Sequence, residues 1–408
     1  MLCQFTVKNF KSIRDEVTLD MQATAISEHE DKVYTDSDGE LFLPVSVIYG
    51  PNGGGKSNVL EALYALRSKV LSPLCATCDE KDCANKMRKI PIKPFAFSVE
   101  SSKSPTEFEV FFRTNQAEYR YILHVKVDEV IYESLDRVRM DTGRRSSLFT
   151  RTLEGVVMKG VFGKLKISED LSTTLPLLSY LGIAYRKNEV IEDVIDWFDE
   201  YLDILNYGNP RQELRIAIAK SPEVKSLVLD MIKEIDLSIE DFRVEEKDDD
   251  RIDVFTTHVV EGYSAELSLS EESSGTKKLF GLLPVMAKSL IFGTPLIIDE
   301  LDAKIHPVLL RHIIEMFTDM KINKKGAQLI FTSHDLSTMN NEVFRRDEIW
   351  FVAKGASQDS KLYSLVEFKN SKGESVRKDA KFDKQYLEGK YGADPYLRKM
   401  IDWSEINA

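Results

Sequence analysis

The chain has 408 residues, 43% of them apolar, enough for one large or two modest domains that fold without disulfide or metal staples. Its 55 Lys and Arg against 67 Asp and Glu give a net charge of −12, which excludes a uniformly basic nucleic-acid coat and leaves room only for a local basic patch. No apolar run approaches the roughly 20 residues needed to cross a bilayer, and the start MLCQFTVKNFKSI lacks the regions of a secretory leader, so a cytoplasmic protein without membrane insertion is expected.

In chain order, QFTVKNF and EVTLDM alternate apolar and polar residues as strands do, and LPVSVIYG is an apolar run of buried-strand length. The glycine-rich stretch GPNGGGKSN (50–58) follows, and then Val59, Leu60, Leu63, Leu66 and Val70 recur at helical spacing. A strand–loop–helix unit is therefore predicted. Beyond it Cys75, Cys78 and Cys83 cluster; a structural zinc there would need a fourth ligand such as Cys3, His29 or His124, and competes with free thiols in an exposed insertion.

From about 92 to 167, the segments KPFAFSVE, TEFEVFFRT, YRYILHVKV, VIYESLDRV and GVVMKGVF are β-branched, aromatic and alternating, and predict an antiparallel sheet. The pattern turns helical from about 170 to 240, most clearly where Val190, Val194, Trp197, Phe198 and Leu202 share a face, and reads as an inserted helical region. The acidic run EEKDDD near 245 reads as a solvated turn between strands.

The last third alternates helices (SSGTKKLFGLLPVMAKSLIFG, HPVLLRHIIEMFTDM) with buried strands (TPLIIDE, AQLIFTSH), the pattern of a parallel sheet covered by helices. The organisation expected is thus α/β in three parts: 1–169 with the glycine loop and antiparallel lobe, 170–240 the helical insertion, and 241–408 the remainder. The tail is polar, with the aromatic, turn-rich YLEGKYGADPYL near its end.

Gly50, Gly55, Lys56 and Ser57 satisfy G-x-x-x-x-G-K-[ST], in which loop N–H groups cradle phosphates, the lysine reaches the β and γ phosphates and the serine ligates Mg²⁺. Asn52, Gly53, Gly54 and Asn58 complete the nucleotide-binding set, and ATP with Mg²⁺ is the expected cofactor. Asp299, at the end of an apolar strand, suits the metal, and Glu300 is placed to polarise an attacking water. His334 ends another buried strand, where open α/β sheets bind ligands, and suits a γ-phosphate sensor. Ser273, Ser274, Gly275 and Thr276 open a helix, a further place for an anion or for ordinary capping.

Glycine loop, long insertion, serine-glycine turn, acidic strand and histidine strand follow the order found in ABC-type ATPases, and the chain resembles that superfamily in all of these places. FTVKNFKSI resembles the opening of SMC, RecF and OLD-like ATPases, which implies Lys11 as a contact near the nucleotide. PFAF, EFEVFF, YRYILHV, ESL, SSGTKKLF, IDELDAKIHP, FTSHD and YLEGKYGADPYL are similar to AAA15-type ATPases that include RloA and the AbiL ATPase.

The resemblance implies an ABC-type P-loop ATPase head with a mixed parallel core sheet. It puts Ser273 to Thr276 in the signature position, Asp302 at the start of the turn after the acidic strand, and His334 as the switch histidine. It also implies a head-to-tail homodimer with ATP at the interface, and a role in anti-phage defence alongside a separate effector such as a Toprim-like nuclease. The signature departs from the glycine-glycine form, and no convincing Q-loop glutamine occurs, Gln116 being nearby in the β-rich lobe. The insertion is too short for the coiled-coil arms of SMC proteins. Alternative readings are a RecF-like DNA-repair ATPase binding nucleic acid, a transporter ATPase, and a scaffold that holds ATP unhydrolysed.

Overall fold

The computed structural model describes residues 1–76, 90–205, 218–235, 238–246, 252–369 and 373–393. A six-stranded sheet forms the centre, in the order Asp203–Leu205, Pro295–Ile298, Gln328–Thr332, Val45–Tyr49, Ile349–Lys354 and Ser360–Ser364. Its first five strands run parallel and the last pairs antiparallel. All of Val45–Tyr49 and of Gln328–Thr332 is buried, as parallel strands covered on both faces must be.

Strand periodicity divides two cores. Val45, Val47 and Tyr49 face one cluster with Leu296, Ile298, Leu329 and Phe331, while Ile48, Ile297, Ile330 and Val352 face the other. On the first face pack the helices Pro222–Glu234, Ser274–Phe292 and Pro307–Thr318. On the second lies Lys56–Ala76, whose Val59, Leu60, Leu63, Leu66 and Val70 are buried as the spacing predicts.

Above that helix sits a seven-stranded antiparallel sheet, in the order Gly155–Met158, Arg145–Thr152, Glu129–Arg139, Ala117–Lys126, Thr106–Arg113, Leu2–Lys8 and Val17–Asp20. The helices Leu177–Ala184 and Glu189–Asp199 close the same core, where Trp197 stacks on Phe112 of the sheet at 4.0 Å between ring centres. Pro176, preceding the first of these helices, offers no capping side chain. Buried Glu133 takes that role from the sheet, accepting from the N–H groups of Leu177 and Leu178 at 2.6 and 2.9 Å.

The α/β class with a mixed core sheet and an antiparallel lobe is therefore what the sequence predicts, with local corrections. KPFAFSVE is not a strand: Pro94 lacks the N–H a ladder needs, Ser98 caps the short helix Val99–Lys103, and the Phe95 N–H is taken by Asn9 Oδ1 at 2.9 Å. Arg145–Thr152 is a strand although its hydroxyls and arginines hide the alternation. Within the span read as helical, Asp203–Leu205 joins the central sheet beside the acidic strand.

Ile239–Glu246 and Ile252–Val260 pair antiparallel, and Tyr263–Ser268 adds a third strand leading to the serine-glycine turn; the first two residues of the acidic run read as a turn, Glu245 and Glu246, belong to the first of these strands, opposite Asp253 and Ile252. Residues 247–250 of that run lie outside the described residues. In the aromatic tail, Tyr386 and Tyr391 stack on Phe351 of the central sheet at 5.5 and 5.0 Å.

Candidate nucleotide site

The glycine loop runs from the buried strand Val45–Tyr49 into the helix that begins at Lys56. Two glycines are required by close approach. A Cβ on Gly50 would lie 2.5 Å from the Val352 carbonyl oxygen, and one on Gly55 (φ +110°) would lie 2.3 Å from Ser360 Oγ and 2.8 Å from Ser12 Oγ. Those hydroxyls form a brace: Ser360 Oγ lies 2.6 Å from the Gly54 carbonyl oxygen and 2.7 Å from Ser12 Oγ, which also accepts from Asn58 Nδ2 at 2.6 Å. Asn58 thus faces the N-terminal lobe, while Asn52 and Gly53 stand exposed at the crest of the loop.

Lys56 is buried, and its ammonium donates to the carbonyls of Gly50 at 2.9 Å and Pro51 at 3.3 Å. Burial lowers its pKa, against the opposing pull of Asp299, Glu300 and Asp302. A desolvated cation curled onto its own loop gains from an arriving phosphate, which returns a full countercharge to it.

Ser57 Oγ donates to Asp299 Oδ1 at 3.2 Å, and Thr332 Oγ1 donates to the same oxygen at 2.7 Å. Thr332 Oγ1 in turn accepts the N–H of Glu300 at 2.7 Å. One hydroxyl thereby fixes both acidic residues to the histidine strand, and sequence reading missed it because a threonine inside a strand carries no motif. Glu300 adopts a left-handed backbone (φ 52°), strain of the kind that concentrates at functional sites.

Ser57 Oγ and Asp299 Oδ1 form a convergent pair of hard oxygens that fits Mg²⁺, a cation usually bound by one or two protein oxygens together with phosphates and water. Among the described residues no group of three or more His, Cys, Asp or Glu is placed to hold a metal. Cys75 is half-buried near the end of its helix, and Cys78 and Cys83 lie outside the described residues. Of the suggested fourth ligands, Cys3 is a buried thiol pushed up to about 12 by burial, and His29 Nε2 bonds to the Asn341 carbonyl. His124 lies against the Tyr132 ring, with its pKa lowered chiefly by burial.

His334 is exposed, and its backbone N–H donates to Asp302 Oδ2 at 3.0 Å, which ties the end of the histidine strand to the turn after the acidic strand. Partial burial lowers its ring pKa, and Lys56 lowers it further, while Asp302, Glu300 and Asp299 oppose. Lys11, also in the left-handed region (φ 49°), forms an ion pair with Glu61 of the loop's helix. Gln116 is exposed in the hairpin between Thr106–Arg113 and Ala117–Lys126, its N–H bonded to Thr114 Oγ1 at 3.1 Å.

The serine-glycine turn is held from both sides. Ser273 caps the helix Ser274–Phe292, accepting from the Thr276 N–H at 3.1 Å, and Thr276 is buried while Ser273 and Ser274 are exposed. Just before it, Glu272 accepts from His258 Nε2 and Thr256 Oγ1, both at 2.6 Å, which anchors the turn to the three-stranded sheet. Gly275 lies close to the Lys304 carbonyl, 3.8 Å from where a Cβ would stand.

The family model described as "AAA domain, putative AbiEii toxin, Type IV TA system" matches residues 45–340, a span that contains the glycine loop, the serine-glycine turn, both acidic residues and His334. No curated protein matches the sequence. Among solved structures, an SMC head bound to the C-terminal winged-helix domain of ScpA is 12% identical, with 89% of this chain and 97% of that one covered and a TM-score of 0.48. The SMC head domain from Thermotoga maritima is 16% identical over 89% and 98% of the two chains, with a TM-score of 0.40. An SMC head with an extended coiled coil from Pyrococcus furiosus, bound to the C-terminal domain of ScpA, is 13% identical over 89% and 96%, with a TM-score of 0.42.

Proposed function

The chain belongs to the AAA-domain family whose model spans residues 45–340, and from that premise we propose that it is an ABC-type molecular switch that binds and hydrolyses ATP. The observation that carries the reading is the bond network joining Ser57, Asp299, Thr332 and Glu300. It joins the loop serine to the metal-suited carboxylate and the adjacent candidate base, with Thr332 of the histidine strand as the link from a third segment. Lys56 and the loop amides bind the phosphates, Glu300 accepts a proton from the attacking water, and His334 orients that water at the γ-phosphate. Mg²⁺, held by Ser57 and Asp299, would neutralise charge on the β and γ phosphates.

The output is a conformation. Ser273 and Ser274 are exposed, which suits a signature turn that completes the nucleotide site of a second copy in a head-to-tail homodimer. ATP closes such a dimer and hydrolysis releases it, a two-state element biased by the γ-phosphate. The toxin and type IV toxin–antitoxin terms in the family's description, and the resemblance to RloA-like and AbiL-like ATPases, support the role of sensor or regulator in a prokaryotic anti-phage system. A separate effector, such as a Toprim-like nuclease, would carry out the response.

ATP turnover, nucleotide binding and dimerisation of two variants test the reading. Glu300→Gln is expected to retain ATP binding and accumulate an ATP-bound dimer while hydrolysis falls at least about a hundredfold. Lys56→Ala is expected to weaken ATP binding roughly 100-fold. Hydrolysis by Glu300→Gln at the wild-type rate would remove Glu300 as the base.

A RecF-like DNA-binding reading has one observation in its favour. Arg144, Arg145, Lys159, Lys164 and Lys166 are exposed on or near the Gly155–Met158 edge of the antiparallel lobe, and none is ion-paired among the described residues. Duplex DNA binding that falls steeply with salt and is lost when these residues are reversed in charge would favour it.

A further inference from the structure

Lys278 lies one turn into the helix that starts at the serine-glycine turn, yet its ammonium leaves that helix and reaches the loop after the acidic strand. There it donates to the backbone carbonyls of Glu300 at 3.3 Å and Leu301 at 3.0 Å, and also to that of Ala303. An ammonium has three donors set tetrahedrally, and three carbonyls of one tight turn converge on it. On its sheet side the turn is held to the histidine strand, the Glu300 and Leu301 N–H groups donating to Thr332 Oγ1 at 2.7 Å and to the Thr332 carbonyl at 3.2 Å and the His334 backbone N–H to Asp302 Oδ2 at 3.0 Å, while within it the Ala303 N–H reaches the Glu300 carbonyl at 3.2 Å and the Ile305 N–H the Asp302 carbonyl at 3.0 Å. Two of its residues, Glu300 and Lys304, have positive φ.

Exposed lysines ordinarily dissolve their charge in water. This one has given up part of that hydration, and burial lowers its pKa to about 8 although Asp302 and Glu300 pull the other way. Three carbonyls gathered on one partly desolvated ammonium are held in place relative to the helix that carries it, because displacing the turn breaks hydrogen bonds to a charged donor.

The same helix is fixed at its outer end. Ser273 caps it, and Glu272 is held by His258 and Thr256. The exposed turn and the strained Glu300 loop are thus opposite ends of one short rigid connection through the first turn of the helix. Displacement of Ser273 to Thr276 on engaging a nucleotide must either carry the Glu300 loop along or break these bonds.

We propose that Lys278 is a positioning residue that couples the serine-glycine turn to the Glu300 loop of the same chain, so that engagement of the turn sets the position of the base. This rests on the ATPase reading above. In the head-to-tail arrangement it would link the two nucleotide sites, since the turn would serve the partner's nucleotide while Glu300 serves the chain's own.

The full chain with Lys278→Met is compared with wild type in three measurements: kcat, affinity for a fluorescent ATP analogue with Mg²⁺, and amide exchange over residues 299–305 with and without nucleotide. Coupling predicts that kcat falls ~10-fold or more while analogue affinity changes less than about threefold. It also predicts faster exchange at Ala303 and Ile305 without nucleotide, with ATP no longer slowing it. Unchanged kcat, or a loss of kcat matched by lost affinity and a lowered thermal midpoint, overturns the proposal. Lys278→Gln is read by the same criteria if the methionine variant does not fold. The exchange measurement without nucleotide does not depend on hydrolysis, so a failed ATPase reading, with wild type itself inactive, is distinguishable from a failed role for Lys278.

Discussion

His334 and Gly55 show how single residues are set by their surroundings. The imidazole is less basic than a free one because partial burial and the nearby Lys56 ammonium both disfavour its charged form. With its pKa lowered, His334 stays neutral as pH falls through its ordinary 6.5 and becomes charged only below that value. A ring-carbon NMR titration of the nucleotide-free protein is expected to place its midpoint below 6.5. In Lys56→Ala the midpoint is expected to move up but not fully back, because burial is the larger cause. A midpoint at or above the ordinary value would show that His334 does not share this environment. At Gly55 a positive φ and two hydroxyls within overlap distance leave no room for a side chain. Gly55→Ala is therefore expected to cost roughly 2–4 kcal/mol in denaturant unfolding, strain and overpacking combined, and to weaken ATP binding as the loop opens.

Among the elements, those whose ends and faces are written locally were legible. The apolar run before GPNGGGKSN, the helical spacing after it and the short apolar strand before Asp299 each state their structure within a few residues, and each is found. The long-range supports were not legible. Ser12 and Ser360 meet behind the loop across most of the chain, Thr332 reaches Asp299 from a neighbouring strand, and Lys278 crosses to the Glu300 loop. A lone serine, threonine or lysine has no periodicity or motif, so only the fold gives it a partner. KPFAFSVE misled for the converse reason: it is a loop leading into a short helix, where Phe95 is buried without belonging to a ladder and Phe97 is exposed. The strand Arg145–Thr152 escaped because hydroxyls and arginines occupy positions where strong alternation would have exposed it. Element type was thus recoverable where burial and local pattern agree, and lost where tertiary contacts override propensity.

For the whole molecule, the division of the central sheet into two cores matters for function. The glycine loop's helix belongs to the core under the antiparallel lobe, while the helix from the serine-glycine turn belongs to the opposite core. The glycine loop and the serine-glycine turn are therefore carried by different layers, and the turn's two serines are exposed. That separation suits a site built from two chains, and it yields a test independent of any structural view of the dimer. In a head-to-tail dimer each site takes the cradle of one copy and the turn of the other. Lys56→Ala spoils only the cradle, and Ser274→Arg only the turn, so each variant alone has two defective sites. Mixed in one dimer, both defects fall in the same site and the other site is intact. Equal mixing with free exchange makes about half the dimers mixed, and independent sites would then recover about a quarter of wild-type turnover. Two inactive variants that stay inactive after exchange, with mixed dimers verified by mass, would mean either that both sites must fire together or that the turn serves its own chain. Glu300→Gln in one copy of an otherwise wild-type dimer separates these outcomes. Sites that must fire together lose nearly all turnover, whereas a turn serving its own chain leaves about half.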